Sequence, residues 1–399
     1  MNIALVCPAS LPATQFGGIM FLCLDLAKES SKIGHDVTIF TTDLDFANNP
    51  KTFNKKLPRI EKIDNFLINR SHVWLSIQLF FVSPGIYRQL IKHESDIIHT
   101  IGIRSFQSLI AAYVAKKKKI PLVISDQGGL TTHPEQTSNF LKRFLFMLQK
   151  PFVNYIINAA TKISVPNDYE KNIFLKFSDK SKINVIKNGI NLDILTSKQI
   201  NFKSKYNIDN DYVLFLGRFS KIKGIDTLVE SINIIKSEIT NLDIKFIFMG
   251  VDFGFESKML KMIKNYNLEN IIKIIKNPPR EDVIAAYRES KFLVYPSRWE
   301  LSPLTPLEGF AFKKTIISTT AHGIPSTIQH NQNCILVEPD NPTQLSDSIL
   351  DLINNEKKCV DLGNSGHKLV LKQCNSKIMV KNTLDMYEQI IKENSLKKY

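Results

Sequence analysis

The sequence predicts an α/β protein of two facing Rossmann-like domains with parallel sheets, on three observations. Short apolar runs alternate with longer segments of helical period, the alternation restarts at residue 212, and runs such as Val213-Leu214-Phe215-Leu216 are apolar without interruption. Alternation of this kind builds strand–helix–strand crossovers. Uninterrupted apolar strands fit a parallel sheet covered by helices on both faces.

In the first half, strands are expected at 2–7, 37–42, 97–99, 121–125, 161–165 and 183–186, with helices such as 18–33, 104–116 and 167–176 between them. In the second half, strands are expected at 212–216, 244–249, 271–275, 292–295, 314–317 and 334–337, with helices near 224–238, 256–265, 280–289 and 306–312. Helical segments 342–353, 356–371 and 376–393 follow. The boundary falls near 190–205, where Asn188-Gly189 gives way to a polar stretch, so the domains are taken as 1–198 and 199–375 with 376–399 as a closing helix. In open α/β sheets the ligand sits beyond the carboxyl ends of the strands. Two facing domains then place a cleft between them, and the loops that follow strands carry the chemistry.

Composition narrows the partners. With 43% hydrophobic and 23% charged residues the chain is an ordinary folded protein, not a disordered one. A net charge of +14 suits nucleic acid, an anionic membrane or a phosphorylated substrate, and charge alone does not choose. No nucleic-acid recognition motif accompanies it, so nucleic acid is not an expected partner. The dense run Lys116–Lys119 ends a helix, where cations complement the dipole. Cys7, Cys23, Cys334, Cys359 and Cys374 are scattered without a C-x-x-C pair, which argues against disulfides and a zinc site and for the cytosol. The opening Met1-Asn2-Ile3-Ala4-Leu5-Val6 reads as a buried strand rather than a signal sequence, and no run is long enough for a membrane span. Residues 139–158 are aromatic and basic, a pattern shared by a membrane-surface helix and a core helix with a few lysines on its wet side.

Three loops after strands carry candidate chemistry. Gln15-Phe16-Gly17-Gly18-Ile19 follows the first strand and precedes a helix; its glycines let backbone N–H groups approach a phosphate. Gly217-Arg218-Phe219-Ser220-Lys221-Ile222-Lys223-Gly224 follows strand 212–216, and Arg218 and Lys223 suit a diphosphate, the first as a fork and the second as a point charge. The stretch Tyr295 to Glu308 follows strand 292–295, with Pro306 in the first turn of a helix capped by Thr305, free amides near Leu304 and Thr305, Glu300 in the loop and Glu308 in the first turn. Carboxylates repel phosphate, so two beside an anion site need a purpose. Vicinal hydroxyls of a sugar supply one; for Glu308 alone, stabilisation of the helix dipole is the simpler account.

Together these loops resemble the retaining GT-B glycosyltransferases of family 4, over nearly the whole chain. The E-x7-E pair Glu300/Glu308 with the upstream G-R-x4-K-G at 217–224 is the more specific part. Gly17-Gly18, Lys187-Asn188-Gly189-Ile190 and Val337-Glu338-Pro339-Asp340 add support. The resemblance implies transfer of a sugar from a nucleotide-diphosphate sugar to a hydroxyl acceptor, with retention and with no metal or other cofactor. Gly17 and Gly18 would face the donor diphosphate, and Arg218 and Lys223 would neutralise it as charge grows on the leaving group. Glu300 would contact the transferred sugar, completing a catalytic set with Arg218 and Lys223. Amides near Leu304 and Thr305 would meet sugar or phosphate, Glu308 would hold the ribose hydroxyls, and the final helix would cross back to the first domain. By the same analogy the acceptor is a glycan or glycolipid of the cell envelope, and the enzyme is cytoplasmic, in peripheral contact with an anionic inner membrane face.

Two departures stand out. Gln127 occupies the loop position where the family has a His; it still offers a hydrogen bond to a sugar hydroxyl but does not titrate, and His133 is a fallback. After Glu308 the chain has Gly309 and then Lys313-Lys314-Thr315 in place of the usual Ala and Gly-x-Pro turn, which calls the local helix geometry into question. Alternatives stay open: a metal-dependent GT-A enzyme using Asp43-Leu44-Asp45, for which a structural role is favoured; a GT-B epimerase or phosphorylase; and a weak or inactive descendant acting as a binding protein.

Overall fold

The computed structural model describes residues 1–45, 53–77, 80–128, 130, 140–196 and 199–396. The chain divides into two compact units, Met1–Gly189 with Ser376–Tyr399, and Ile190–Asn375.

The strands of the first unit are β1 (Asn2–Val6), β2 (Asp36–Thr42), β3 (Ile60–Ile63), β4 (Phe66–Ser71), β5 (Leu75–Ile77), β6 (Phe80–Val82), β7 (Ile97–Ile101), β8 (Leu122–Ser125), β9 (Lys162–Val165) and β10 (Ile183–Val185). Eight form one sheet in the order β10-β9-β8-β7-β1-β2-β4-β3, while β5 and β6 make a separate hairpin. All neighbours in the large sheet run parallel except β3 and β4. Strand order reverses direction between β1 and β7, so the loops after those strands lie at the switch point where a crevice opens.

The second unit holds β11 (Tyr212–Leu216), β12 (Lys245–Gly250), β13 (Ile272–Lys276), β14 (Leu293–Tyr295), β15 (Ile316–Thr319) and β16 (Ile335–Val337), all parallel, in the order β13-β12-β11-β14-β15-β16. Its switch point lies between β11 and β14. The continuous apolar strands are explained by two cores: Val213 and Phe215 enter one layer, Tyr212 and Leu214 the other. Alternate side chains of a strand face opposite sides, so a strand covered on both faces is apolar throughout.

Three stretches differ from the sequence reading. Between residues 43 and 96 the chain forms β3, β4, the hairpin and the helix Gly85–Lys92, none of which was expected; β3 is an edge strand with mixed exposure and gives a weak apolar signal. The aromatic-basic stretch is two helices, Phe140–Leu148 and Lys150–Ala159, the second carrying Pro151 in its first turn, where a missing N–H is tolerated. The second helix buries Val153, Ile156 and Ile157, whereas the first exposes Phe140, Phe144, Met147 and Leu148. The lysine run ends a helix as expected, but the helix extends to Lys118 and Lys119 caps it in the left-handed conformation.

The terminal helix Ser376–Leu396 belongs to the first unit, where it packs on the helix Gly18–Lys32. Among the described residues no helix is long and apolar enough to cross a membrane.

Candidate active site

The loop after β11 is shaped by a close approach. Residues Lys221–Lys223 form a single 3-10 turn, Gly224 follows at φ +65°, and the helix Ile225–Ile234 begins. A Cβ on Gly224 would lie 2.0 Å from the carbonyl oxygen of Pro296, in the loop after β14. Only glycine fits there, so the two switch-point loops are in direct backbone contact. Arg218 stays exposed, its guanidinium 4.9 Å from the centre of the Phe253 ring. Lys223 turns inward: its ammonium donates to the Tyr295 hydroxyl at 2.8 Å and to a Glu300 carboxylate oxygen.

Glu300 is held from several sides. Its Oε1 accepts from Lys223, from the Tyr295 hydroxyl at 2.6 Å and from Ser297 Oγ at 3.2 Å. Its backbone carbonyl accepts from Gly323 N–H at 2.9 Å, and a Cβ on Gly323 would meet the Leu301 carbonyl oxygen at 2.0 Å. Burial alone would raise the carboxyl pKa, but the Lys223 charge, hydrogen bonds from Lys223 and Tyr295, and the Arg218 charge hold it below its ordinary value. Burial, reinforced by the Glu300 charge, pushes the Tyr295 phenol well up. The pair is therefore an ionised carboxylate beside a neutral phenol.

Arg298 fixes the loop from behind. It donates to Asp340 at 2.5 Å, Asp226 at 2.6 Å, Thr227 at 3.1 Å and the Lys221 carbonyl. One side chain thus joins the loop after β14, the turn that carries Lys223, and Asp340 after β16.

The following helix, Leu304–Ala311, starts two residues earlier than the sequence suggested. Pro303 is at its N-cap and no side chain caps it, so Thr305 is a first-turn residue and not the cap. The first amides of a helix have no partner within it, which leaves those of Leu304 and Thr305 available to an anion. Glu308 lies in the second turn, where dipole stabilisation has largely decayed, so that simpler account of its presence is set aside. Its oxygens instead accept a two-pronged contact from Arg280, with Nη1 at 3.1 Å, and a hydrogen bond from the Tyr287 hydroxyl at 2.9 Å. Each carboxylate therefore arrives with its own cation, Lys223 for Glu300 and Arg280 for Glu308. The two acidic groups are thus each charge-balanced locally. Gly309 leaves the helix intact: a Cβ there would sit 3.1 Å from Leu293, and on the neighbouring helix a Cβ on Gly366 would strike the Phe310 ring at 2.2 Å. The glycines let this helix press close to its neighbours.

In the first unit, Gly17 has φ +105° and opens the helix Gly18–Lys32 at the end of the loop after β1, with no side-chain cap. Gln127 takes a left-handed conformation at φ +54° and exchanges two amide hydrogen bonds with Asn188, at 3.0 and 2.8 Å. The expected sugar contact of Gln127 is therefore limited to whatever that pairing leaves over. Nearby, buried Asp126 accepts from Leu130 N–H at 2.7 Å; burial and then the Asp126 charge push Glu170 well above the carboxylate range. Burial lowers the Arg104 guanidinium to about 10, opposed by Asp126. His133 lies outside the described residues. Asp43 and Asp45 turn to different partners, the first to His72 and Val73 N–H at 3.1 Å and the second to Asn54 at 2.9 Å.

Residues that sequence reasoning passed over are Arg280, Tyr287, Tyr295, Ser297 and Arg298. Tyr295, Ser297 and Arg298 stand inside the quoted loop, but nothing local says which of them turns inward. Arg280 and Tyr287 share a helix face two turns apart, and their common target is not visible without the fold.

Both units match known families. Residues 196–369 match the family described as Glycosyl transferases group 1, and residues 16–194 match Glycosyltransferase Family 4. The chain is 30% identical over 283 residues to an uncharacterized glycosyltransferase of Methanocaldococcus jannaschii, spanning 70% of this chain and 72% of that one. It is 26% identical over 299 residues to the capsular polysaccharide biosynthesis glycosyltransferase CapM of Staphylococcus aureus, spanning 71% and 74%. HepE of Anabaena, solved in complex with UDP, has the same fold with a TM-score of 0.74 at 17% identity, over 98% of this chain and 100% of that one. The chain belongs to glycosyltransferase family 4: it is a GT-B enzyme of nucleotide-sugar-dependent glycosyl transfer.

Proposed function

We propose that this enzyme moves a sugar from a nucleotide-diphosphate sugar to a hydroxyl acceptor with retention of configuration, using no metal ion or other cofactor. The observation that carries this reading is the pairing of Lys223 with Glu300, on which the Arg218 charge also acts, in the two switch-point loops of the second unit, just ahead of a helix that opens with uncapped amides. Two cations and free amides supply the charge stabilisation that a departing diphosphate needs. The bond from the anomeric carbon to the phosphate oxygen breaks, the acceptor oxygen bonds on the same face, and the leaving phosphate takes the acceptor's proton. Lys223 and Arg218 stabilise the leaving group, Glu300 holds the transferred sugar and Glu308 the ribose. Gly17, Gly18 and Gln127 of the first unit keep the donor-binding roles that family resemblance assigns them.

The acceptor on this reading is a glycan or glycolipid, and the kinship with a capsular polysaccharide enzyme supports a cell-envelope product. Exposed Phe140, Phe144 and Met147 on one helix, with Arg143 and Lys150 beside them, support peripheral contact with an anionic membrane from the cytoplasmic side. The deciding experiment is a panel of nucleotide sugars with and without chelator. Chelator-resistant turnover of one donor, with product of the donor's own anomeric configuration, supports the proposal; loss with chelator and rescue by Mn or Mg sinks metal independence. A weak or inactive descendant is the second reading, favoured by the pairing of Gln127 with Asn188. It predicts nucleotide binding without turnover of any donor.

A further inference from the structure

We infer that Arg280 sets the enzyme's discrimination for the donor's ribose hydroxyls by fixing and neutralising Glu308, an inference that rests on the reading of Glu308 as the ribose acceptor. An ionised carboxylate offers about four acceptor positions. Here the Arg280 fork takes one on each oxygen, and the Tyr287 hydroxyl takes a second on Oε2. Among the described residues one position on Oε1 is left, on a carboxylate whose plane and direction are already set from two sides.

The two donors differ in character. Tyr287 is fully buried and stacks on Phe312, with ring centres 5.9 Å apart and planes 9° from parallel. It is a fixed stop. Arg280, the first residue of the helix Arg280–Glu289, is 41% exposed at its side chain against 15% for Glu308. The guanidinium therefore forms the wet rim of the carboxylate. It also cancels a negative charge in a site that has to accept a diphosphate. A lysine would keep that charge but not the planar two-pronged fit. Arg280 is thus a positioning residue: it makes Glu308 tolerable near phosphate and aims its remaining lone pair.

The test uses the full chain and calorimetric titration with UDP, GDP and ADP, then the 2′-deoxy and 3′-deoxy forms of the tightest binder. One analogue should bind wild type about 10- to 100-fold more weakly than its parent, the worth of a hydrogen bond to a charged group. Glu308→Gln should bring that ratio to within about threefold. Arg280→Ala should do the same and also weaken the parent nucleotide about tenfold, while Arg280→Lys recovers parent affinity but not the ratio. If Arg280→Ala and Arg280→Lys keep the wild-type ratio while Glu308→Gln loses it, the role of Arg280 is overturned and the reading of Glu308 stands. If Glu308→Gln keeps it too, Glu308 does not read the ribose and both ideas fall. Absence of binding by folded wild type to any of the three overturns the donor site as a whole.

Discussion

The Nδ1 of His99 lies 2.5 Å from the hydroxyl of Tyr387, a residue 288 positions further along the chain. His99 stands in β7, and its Nε2 is 2.7 Å from Ser125 Oγ at the end of β8. Both rings are buried, edge to face with centres 5.8 Å apart. A neutral imidazole accepts at one nitrogen and donates at the other, so Tyr387 and Ser125 together satisfy it. Removing the phenol should leave a buried polar atom unpaired. Tyr387→Phe is therefore expected to lower stability by about 1–3 kcal/mol, read as a lower urea midpoint with an unchanged slope.

The same histidine sets an acid limit on the first unit. Burial lowers its pKa from the ordinary 6.5 to about 3. The unfolded chain thus takes up a proton near neutrality that the folded chain refuses. This contribution to stability is whole above pH 6.5 and declines as pH falls toward the folded value, by about 1.4 kcal/mol per unit. Unfolding measured at pH 7.5 and pH 5 should show a larger loss in wild type than in His99→Gln. Equal losses would show that the imidazole does not govern the acid response.

Lys223→Met tests the electrostatics around Glu300. The lysine supplies the largest influence that holds that carboxyl below its ordinary pKa, against the burial that raises it. In wild type the carboxylate stays charged until the pH drops below the usual carboxylate range. Without the ammonium, burial prevails and the charge should be lost at a higher pH. Turnover should fall about 100- to 1000-fold, as for loss of one preorganised donor, and the acid limb of the pH–rate profile should move upward. Arg218→Ala should reduce turnover similarly, with a smaller movement of the acid limb because its charge acts on Glu300 more weakly. Wild-type kinetics in both variants would remove these residues from the catalytic set.

Gly224 and Gly254 make a matched pair. Both have positive φ, +65° and +86°, but a Cβ on Gly224 meets the Pro296 carbonyl at 2.0 Å while one on Gly254 meets nothing within 4 Å. Gly254→Ala should cost only the left-handed strain, about 1–2 kcal/mol. Gly224→Ala should cost more than about 3 kcal/mol, because backbone must move against backbone, and nucleotide binding should weaken with it. Comparable melting temperatures for the two variants would contradict the close packing of these loops.

Much of this was legible beforehand for a physical reason. The second-unit strands are sandwiched, so Tyr212–Leu216 and Lys245–Gly250 present long apolar runs that announce themselves. The candidate loops follow such strands, and Arg218, Lys223, Glu300 and Glu308 could be picked out because they stand in those loops at the spacing of the G-R-x4-K-G and E-x7-E patterns. Edge strand β3 and the short hairpin could not, since half-exposed strands of three or four residues lack a distinctive period. Long-range partners were also hidden. Arg280 and Glu308 are 28 residues apart, Lys223 and Glu300 are 77 apart, and no local pattern links them. The start of the helix at Leu304 was misjudged because Pro306 marked a first turn correctly but did not say how much of that turn preceded it.

The helix Ser376–Leu396, which closes over His99 and lies on the helix Gly18–Lys32, has a consequence for biosynthesis. A ribosome makes the sheet of the first unit early but delivers this covering helix only after all of residues 190–375. Until then an imidazole and the flank of a helix remain uncovered on the nascent chain. The second unit has no such debt and can close first, so the order of completion during synthesis is the reverse of the order of the strands.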